Sequence, residues 1–410
     1  MKVLELPAYF YPESMSSSHL DDNLREALAK AGIDMAIYCP TPTRGITAEV
    51  RKEYKKKKTE KMYDGRATVH RFSLYGEGKN PTLRAMRYTF ACIQQFNRAV
   101  FAKDARKCDV MFITSTPPIK GAMAGLARKF NRKPIIYELQ DIFPDSLAGS
   151  GLAKKGGLLW KIGRAIENFT YKNADKIIVI SEDFKKNIMA KGVPKEKIEV
   201  VYNWVDEKAV QPVFKEDNPL FEEFGIDRDR FTIVYAGNLG NAQNISIIVD
   251  AAKQLSDIQF ALFGTGGLEE ELRSQIVKEQ LTNIHLNPLQ PFERVSQVYS
   301  LGDACIVSCK AGLGGSAMPS KTWTIMSCGR PVVANFDEGD LKDILERNRC
   351  GVFSHAGIVQ EFVDAINTLK ENSALCEEMG KNARQFILDN LTKEVGTKKY
   401  VEIIKSFEKK

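Results

Sequence analysis

Histidine is scarce in this sequence, with four residues in 410. The eight cysteines are spread along the chain and include no C-x-x-C pair, the spacing that zinc and redox motifs use. Because a metal centre needs several such ligands close together, the sequence predicts that no metal is bound. The cysteines are interpreted as small buried residues of a protein kept in a reducing compartment.

Long apolar runs are also missing. No stretch approaches the roughly 18–20 apolar residues that a transmembrane helix needs, so no membrane span is predicted. The N-terminal MKVLELPAYFYP carries one lysine and is interrupted by Glu5 and Pro7, which does not fit a signal peptide. It is interpreted as the first β-strand of a cytoplasmic protein.

The charge is only slightly one-sided, at +7 from 59 basic and 52 acidic residues. Much of the excess lies in RKEYKKKKTEK, residues 51–61. Such a run predicts a solvated, mobile loop, and the alternative interpretation is attraction to anionic lipid or to nucleic acid. Because neither interleaved aromatic residues nor a known binding module accompanies it, no nucleic-acid partner is expected.

Short apolar runs alternate with amphipathic stretches along most of the chain. Strands are predicted at KVLEL, MAIYC, ATVHRFSL, VMFIT, PIIYEL, KIIVIS and IEVVYN, and later at FTIVYAG, IQFALFG, IHLNPL, ACIVSC and PVVAN. Between them, patterns such as HLDDNLREALAKAG place apolar residues on one helical face. This alternation indicates an α/β fold with parallel sheets covered on both faces.

The alternation stops once, in the polar residues 206–230, and FTIVYAG then restarts it. We therefore predict two Rossmann-like domains, residues 1–205 and 206–392. The last helix, within 393–410, is expected to pack away from its own domain.

The stretch TLRAMRYTFACIQQFNRAVFAK, residues 82–103, has apolar side chains near helical spacing. They are Leu83, Met86, Phe90, Ile93 and Phe101. One interpretation is a core helix whose basic positions are solvated. The other is a helix lying on an anionic membrane surface beside residues 51–61.

Three glycine turns follow strands in the second half. They are AGNLGNAQN (236–244), FGTGG (263–267) and GGSAMPSKTW (314–323). In open parallel sheets, ligands bind where strands end and helices begin, because free backbone N–H groups there favour anions. Three such turns in one domain, one of them with a lysine, predict a phosphorylated ligand.

The third turn nearly matches the nucleotide-hydrolase phosphate loop, with Ser320 at the position of its second glycine. However, about ten residues separate the preceding strand from the helix, whereas a phosphate loop connects the two directly. Pro319 and Ser320 are interpreted as the start of a helix, with either the serine as a cap or the proline in the first turn. Asp337 is no convincing magnesium ligand, since it could equally cap the next helix. A hydrolase is therefore not favoured.

Several blocks together resemble a known family. They are YFYPES, STPP (115–118), YELQDIFPDS (137–146), IIVISE with VVYNWVD, YAGNLGNAQN, FGTGG and MPSKTWTIMSCGRPVVA. The whole chain is similar to family 4 glycosyltransferases of the GT-B type. The nearest branch builds bacterial capsule, O-antigen and exopolysaccharide repeats and resembles the L-fucosamine transferases, which transfer an aminosugar.

The resemblance implies a retaining transferase that needs no cofactor or metal. The second domain would bind a nucleotide sugar, and the expected nucleotide is a uridine one. The first domain would bind the acceptor, and transfer would occur in the cleft between the two domains. Protein donors would neutralise the leaving diphosphate. The implied donor-binding residues are Gly237, Asn238, Gln243, Asn244, Gly264, Thr265, Gly266, Pro319, Ser320, Lys321 and Thr324. The last helix would cross back to the first domain.

The sequence departs from the family pattern at several positions. Neutral Asn238 and Gln243 stand where many relatives carry arginine and lysine, and Ser316 and Thr324 replace two glutamates. Gln140 replaces a histidine. Lys321 therefore becomes the best cation for the diphosphate.

Candidate catalytic and acceptor-binding residues lie in the first domain. Asp141 follows a strand and could accept a proton from the acceptor hydroxyl, with Asp145 and Glu13 as second choices. Asp141 could instead cap a turn, or the leaving phosphate could take the proton. The implied acceptor contacts are Met15, Ser16, Ser17, His19 and Gln140.

The expected acceptor is a polyprenyl-diphosphate-linked saccharide, which would suit a peripheral position on the inner face of the cell membrane through 51–61 and 82–103. Two alternatives to this interpretation stay open. The acceptor could instead be a small soluble molecule. An epimerase or hydrolase of nucleotide sugars could also use the same two-domain frame.

Overall fold

The computed structural model describes residues 1–13, 18–76, 80–146 and 154–408. The chain divides into two compact units. Unit 1 comprises Met1–Tyr202 with Gly396–Lys410, and unit 2 comprises Asn203–Val395. Each unit is built on a parallel sheet flanked by helices, so the predicted α/β fold class is confirmed.

The sheet of unit 1 has eight strands in the order β3-β4-β2-β1-β5-β6-β7-β8, all parallel except β3. Their bounds are β1 Lys2–Glu5, β2 Asp34–Pro40, β3 Thr59–Met62, β4 Ala67–Phe72, β5 Val110–Thr114, β6 Ile135–Leu139, β7 Lys176–Val179 and β8 Ile198–Val200. The central strands are nearly continuous apolar runs because helices cover both faces of the sheet.

The helices of unit 1 alternate with these strands. Their bounds are α1 Ser18–Lys30, α2 Ala48–Lys56, α3 Pro81–Phe101, α4 Lys103–Arg106, α5 Ile119–Asn131, α6 Leu158–Asn173 and α7 Glu182–Ala190. Helices α3, α5 and α6 pack side by side, α5 in the middle. Gly121 and Gly125 allow this, since a Cβ there would meet Thr170 or Phe169 of α6 within 3 Å.

The sheet of unit 2 has six parallel strands in the order β11-β10-β9-β12-β13-β14. Their bounds are β9 Thr232–Asn238, β10 Gln259–Thr265, β11 Ile284–Asn287, β12 Ala304–Ser308, β13 Val332–Phe336 and β14 Gly351–His355. The chain runs outward from β9 in one direction and then continues from β12 in the other. The strand order thus reverses between β9 and β12, the position where open α/β sheets bind ligands.

The helices of unit 2 cover both faces of this sheet. Their bounds are α8 Leu220–Glu223, α9 Ser246–Gln254, α10 Glu269–Lys278, α11 Val295–Ser300, α12 Lys321–Ser327, α13 Asp340–Arg347, α14 Val359–Glu371 and α15 Ser373–Asn390. The core is aliphatic and aromatic, with Phe260, Ile248 and Phe362 fully buried.

The last helix, α16 (Lys393–Lys405), contributes most of its length to unit 1. Tyr400 and Ile404 are fully buried, and the Tyr400 ring meets Phe112 of β5 edge to face at 6.1 Å. In the described chain, no helix combines the length and the apolar character needed to cross a bilayer.

Residues 51–61 are not a loop. Helix α2 and strand β3 occupy most of this run, and β3 pairs antiparallel with β4. The Thr47 hydroxyl accepts a hydrogen bond from Val50 N, and Tyr54 is buried under the Arg71 guanidinium. The loop prediction was wrong because one buried aromatic residue and an open sheet edge order a segment that is otherwise charged.

Helix α3 turns its apolar residues outward. Leu83, Met86, Phe90 and Ile93, which we call the apolar stripe, are 50, 58, 55 and 53% exposed. The buried face instead carries Arg87, Ala91, Gln95 and Ala99, and the Gln95 amide donates to the backbone carbonyls of Pro7 and Tyr38. The interpretation of α3 as a core helix through its large apolar residues is therefore wrong.

Candidate functional site

The candidate donor site lies at the carboxyl edge of the unit 2 sheet. Strands β9 and β10 end side by side, with Gly237 opposite Gly264 and Asn238 opposite Thr265. Thr265 and Asn238 are both exposed. The first two glycine turns therefore meet next to the point where the strand order reverses.

These turns approach each other too closely for side chains. A Cβ at Gly264 would lie 2.5 Å from the Gly237 carbonyl oxygen, and one at Gly266 would lie 2.4 Å from the Leu239 oxygen. Gly237 itself has a φ of +144°, which side chains rarely adopt. The glycines are thus needed for the turn packing, and they leave bare backbone at the sheet edge.

Lys321, the first residue of α12, reaches this edge. A Cβ at Gly237 would lie 2.7 Å from the Lys321 Nζ, and the Tyr235 ring lies beneath that nitrogen. Burial lowers the pKa of Lys321 to about 8. Among the described residues no carboxylate pairs with it. A half-buried, uncompensated cation beside bare backbone suits an anionic ligand.

The loop after β9 presents neutral polar groups near Lys321. The Asn238 amide donates to Gln243 Oε1 at 3.2 Å, and Asn244 adopts the left-handed conformation with a φ of 50°. The Ser308 hydroxyl, at the end of β12, donates to the Gln243 carbonyl at 2.6 Å. The loop is therefore fixed to the strand across the reversal point.

The start of α12 differs from the predicted cap. The Ser320 side chain makes no capping hydrogen bond, and the first turn closes through Thr322 N to the Pro319 carbonyl. The helix begins directly after Ser320, as predicted, but the alternative in which the Ser320 side chain caps it is wrong, because the Ser320 backbone is already helical. Thr324, half-buried, follows Lys321 by one turn.

Asp337 holds the third glycine turn. Its carboxylate accepts a hydrogen bond from Gly314 N at 2.8 Å. Helix α13 begins after Gly339 without a side-chain cap, so Asp337 does not cap it. The aspartate ties the Gly314 turn to the end of β13, which explains it without a magnesium ion.

In unit 1, Asp141 lies just after β6 and keeps access to solvent. Its carboxylate accepts a hydrogen bond from the Ser146 hydroxyl at 3.1 Å. Desolvation by the surrounding chain raises the pKa of Asp141, and the Ser146 bond partly offsets that rise. A solvent-accessible carboxylate with a raised pKa is suited to accept a proton.

The second-choice carboxylates have structural partners. Asp145 forms an ion pair with Lys191 at 2.7 Å, and Lys191 also pairs with Glu167. Buried Glu13 accepts backbone hydrogen bonds from Thr43 and Arg44 at 2.7 and 2.8 Å. Burial raises the pKa of Glu13, and these bonds oppose the rise. Both geometries favour positioning roles.

The predicted acceptor residues are only partly described. Met15, Ser16 and Ser17 lie outside the described residues. His19 is exposed near the start of α1. Gln140 is half-buried; its backbone N donates to Ser115 Oγ at 3.1 Å and its amide to Glu138 Oε1 at 3.0 Å.

A buried charged cluster that was not predicted from the sequence lies beside Gln140. Glu138 is buried in β6 with its pKa raised to about 7 by burial, and it accepts a hydrogen bond from the Tyr400 hydroxyl at 2.8 Å. Lys120 is fully buried in α5 and donates to Thr114 Oγ1; burial lowers its pKa to about 8. A charged residue inside the apolar run IIYEL was the available signal.

Within the described ranges, no group of three or more histidine, cysteine, aspartate or glutamate side chains is arranged to hold a metal ion. Lys321 is the cation whose ammonium group the contacts place directly at the glycine edge of unit 2.

Two family models match the chain. "Glycosyl transferase 4-like domain" matches residues 22–204, and "Glycosyl transferases group 1" matches residues 216–386. Together they span most of both units. "Putative colanic acid biosynthesis glycosyl transferase WcaI" of Escherichia coli (strain K12) is 26% identical over 339 residues, covering 80% of this chain and 82% of that protein.

Solved structures share the whole fold. Sucrose-phosphate synthase from Thermosynechococcus elongatus gives a TM-score of 0.79 at 15% identity, over 99% of this chain and 98% of that one. HepE from Anabaena, in complex with UDP, gives a TM-score of 0.73 at 16% identity, over 99% of this chain and 100% of that one. These likenesses confirm the predicted GT-B fold.

Proposed function

This chain belongs to the glycosyltransferase family described by those two models, and from that premise we propose that it transfers a sugar from a UDP-sugar to a lipid-linked saccharide. The sugar is an N-acetylated aminosugar or a deoxysugar, transferred with retention of anomeric configuration. The product is a cell-surface polysaccharide such as capsule, O-antigen or another lipopolysaccharide part. The colanic acid pathway in the name of WcaI supports this product class.

The observation that carries the proposal is the uncompensated Lys321 beside Gly237. A nucleotide diphosphate bound along the β9 and β10 turns would meet backbone N–H groups and one ammonium group. The UDP complex of HepE, which shares the fold, supports uridine as the nucleotide. Neutral Asn238 and Gln243 would contribute hydrogen bonds without charge.

The chemistry follows from what must be stabilised. The bond between the anomeric carbon and the donor β-phosphate oxygen breaks, and the acceptor hydroxyl oxygen forms a bond to the same carbon. The departing UDP gains negative charge, which Lys321 would stabilise in place of a metal ion. The hydroxyl proton passes to the leaving phosphate or to Asp141, whose raised pKa favours holding it.

Unit 1 would bind the acceptor. Gln140 and His19 are its proposed saccharide contacts, and Glu13 and Asp145 would position the surrounding loops. The apolar stripe of α3 supports a lipid-linked acceptor and a peripheral membrane position, because a contiguous patch of exposed large apolar side chains marks an interaction site. On α6, Leu158, Leu159 and Ile162 are exposed as well, and Lys161 lies among them in the sequence.

A transfer assay tests the proposal. Purified protein is incubated with a panel of UDP-sugars, each with a polyprenyl-diphosphate-linked saccharide or with a soluble saccharide, with and without EDTA. We expect transfer with one UDP-sugar, only to the lipid-linked acceptor, and no effect of EDTA. Epimerised sugar or released UDP without any acceptor would reject the transferase mechanism, and equal transfer to the soluble saccharide would reject the lipid-linked acceptor.

The same assay addresses Asp141. If it accepts the acceptor proton, Asp141→Asn lowers kcat by about 10²–10⁴-fold while the affinity for UDP stays unchanged. An unchanged kcat would assign the proton to the leaving phosphate.

A further inference from the structure

We infer that a cavity in unit 1, which we call the basic pocket, binds the diphosphate group of a lipid-linked acceptor. It is formed by Lys55, Lys58, Arg71 and Arg98, with the hydroxyl-bearing residues Thr41 and Ser73. The inference rests on the proposed function for the identity of the ligand, but the pocket itself is defined by the fold of unit 1 alone.

The basic pocket lies at the carboxyl edge of its sheet. Thr41 directly follows β2 and Ser73 directly follows β4, two neighbouring parallel strands. Thr41 is fixed there because its backbone N and its hydroxyl both donate to the Phe72 carbonyl, at 2.8 and 3.2 Å. Ligand sites of open parallel sheets occur at this edge.

The charge of the basic pocket is not balanced from within. None of the described side chains that line it is acidic. Arg71 pairs with Glu60, which lies outside the lining, at 2.7 Å. Arg98 makes its hydrogen bonds to Gln94 and lies 4.5 Å from the Phe72 ring centre, and burial lowers its pKa. Three cations therefore have no carboxylate partner in the described chain.

One of the four cations, Arg71, is held by the surrounding structure, whereas the Lys55 and Lys58 side chains are exposed. Arg71 is buried between two rings, 4.8 Å from the centre of Tyr54 and 5.7 Å from that of Phe10. Its backbone N also donates to the Lys58 carbonyl at 2.8 Å, which ties β4 to the start of β3. The Arg71 guanidinium is thus preorganised, and guanidinium groups match phosphate oxygens in paired hydrogen bonds.

The size of the basic pocket fits a head group. Its volume is about 290 Å³. Sites for complete small molecules have volumes of about 300–1,000 Å³. A diphosphate therefore fits better than a nucleotide sugar.

The apolar stripe borders the basic pocket on the same helix. A helix turns about 100° per residue, so Gln94 and Arg98 follow directly beside the line through Leu83 and Phe90. An anion in the pocket with an alkyl chain along the stripe would satisfy both surfaces. That combination describes a lipid phosphate or diphosphate, which a bilayer head group or the acceptor could provide.

The test measures binding of farnesyl diphosphate, a short isoprenoid diphosphate, to the full-length protein, alongside inorganic diphosphate, vesicles of phosphatidylglycerol, and UDP. The variants are Arg98→Gln and the double variant Lys55→Gln with Lys58→Gln. The matched control is Lys52→Gln with Lys56→Gln, which removes the same charge from α2 outside the lining.

We expect each pocket variant to weaken farnesyl diphosphate binding by about tenfold to a hundredfold. Inorganic diphosphate should bind more weakly than farnesyl diphosphate, because it lacks the chain. The control variant and UDP affinity should stay within about twofold of wild type.

Three results would overturn the inference. The first is an equal loss of farnesyl diphosphate affinity in the control variant. The second is that the pocket variants lose affinity for phosphatidylglycerol vesicles but not for farnesyl diphosphate. The third is that the wild type does not bind farnesyl diphosphate. The UDP measurement separates this from the proposed function. If the wild type did not bind UDP, the proposed donor site would be contradicted. If it bound UDP normally but did not bind farnesyl diphosphate, only the inference about the basic pocket would be contradicted.

Discussion

The Lys321 ammonium nitrogen lies 4.0 Å from the centre of the Tyr235 ring. The ring is itself fixed, since Tyr235 is fully buried and its hydroxyl donates to the Asn238 carbonyl at 2.6 Å. The tyrosine thus connects the cation to the β9 turn, and a cation over an aromatic face gains about 0.5–2 kcal/mol without using any of its N–H donors. Those donors remain for a ligand.

Replacing Lys321 by alanine should weaken UDP binding about tenfold to a hundredfold, because a charge-assisted hydrogen bond to phosphate is worth about 1.5–3 kcal/mol. Isothermal titration calorimetry with UDP measures this. Lys278→Ala, at the far end of α10, removes the same charge from an exposed position and should leave the affinity unchanged. Equal affinity in both variants would remove Lys321 from the site.

UDP affinity should also depend on pH through Lys321. Its pKa is lowered to about 8, so the free protein loses the charge as the pH rises past 8. The phosphates of UDP are already ionised above about pH 7, so affinity should fall between pH 7 and 9.5, by about tenfold. The Lys321→Ala variant should show no such fall. If UDP affinity fell equally with pH in the wild type and the variant, a group other than Lys321 would be responsible.

Gly237→Ala should impair donor binding through geometry. The added methyl would lie 2.7 Å from Lys321 Nζ, on a backbone with a φ of +144°. Either the lysine or the turn must move, so UDP affinity should fall at least tenfold. Gly267→Ala is the matched control in the next turn, because a Cβ there meets nothing within 4 Å. A similar loss in both variants would indicate general loop damage.

The apolar stripe should support vesicle binding. Met86→Glu with Phe90→Glu places two charges on exposed positions of α3, and burying them in a lipid interface is unfavourable. Flotation with phosphatidylglycerol vesicles should show most of the wild type bound and most of this variant free. Val277→Glu, an exposed apolar position of unit 2, should float like wild type. Unchanged flotation of the stripe variant would exclude α3 from the contact.

Much of the fold could be predicted from the sequence because most buried strands are continuous apolar runs. The missed strands lack that signature. Strand β3, with sequence TEKM, is an edge strand of mostly polar residues, and β14, GVFSH, is only partly apolar. In α2, the buried Tyr54 was hidden among lysines. Local composition does not report an open sheet edge that orders such a segment.

The part of the candidate donor site that could be predicted from the sequence is the part set by backbone geometry at the ends of strands. The turns at Gly237 and Gly264 and the lysine at 321 could be assigned to the ends of strands, and the structure brings all three together. The outward direction of the α3 stripe could not be read, since periodicity defines a face but not what the face meets. Glu138 was missed for a related reason: its hydrogen-bond partner Tyr400 lies far along the chain.

The burial of Glu138 predicts that the stability of the protein depends on pH. Burial raises its pKa from 4.5 to about 7, so the folded chain binds more protons here than the unfolded chain between those values. Its contribution to the free energy of unfolding therefore decreases as the pH rises from 4.5 to 7. Glu138→Gln keeps an oxygen to accept from the Tyr400 hydroxyl but removes the titration.

Urea unfolding of both proteins at pH 4.5 and pH 8 measures the effect. On going from the lower to the higher pH, the variant should gain stability relative to wild type by at most about 3 kcal/mol, since one pKa unit corresponds to about 1.4 kcal/mol. Tyr400→Phe is the control, because it removes a hydrogen bond to Glu138 and leaves the carboxyl group in place. It should be less stable than wild type and keep the decrease with pH. If the free energies of unfolding of Glu138→Gln and wild type differed by the same amount at both pH values, the Glu138 carboxyl group would not titrate in this range. Glu138 would then be ionised at both pH values, with Lys120 neutralising its charge.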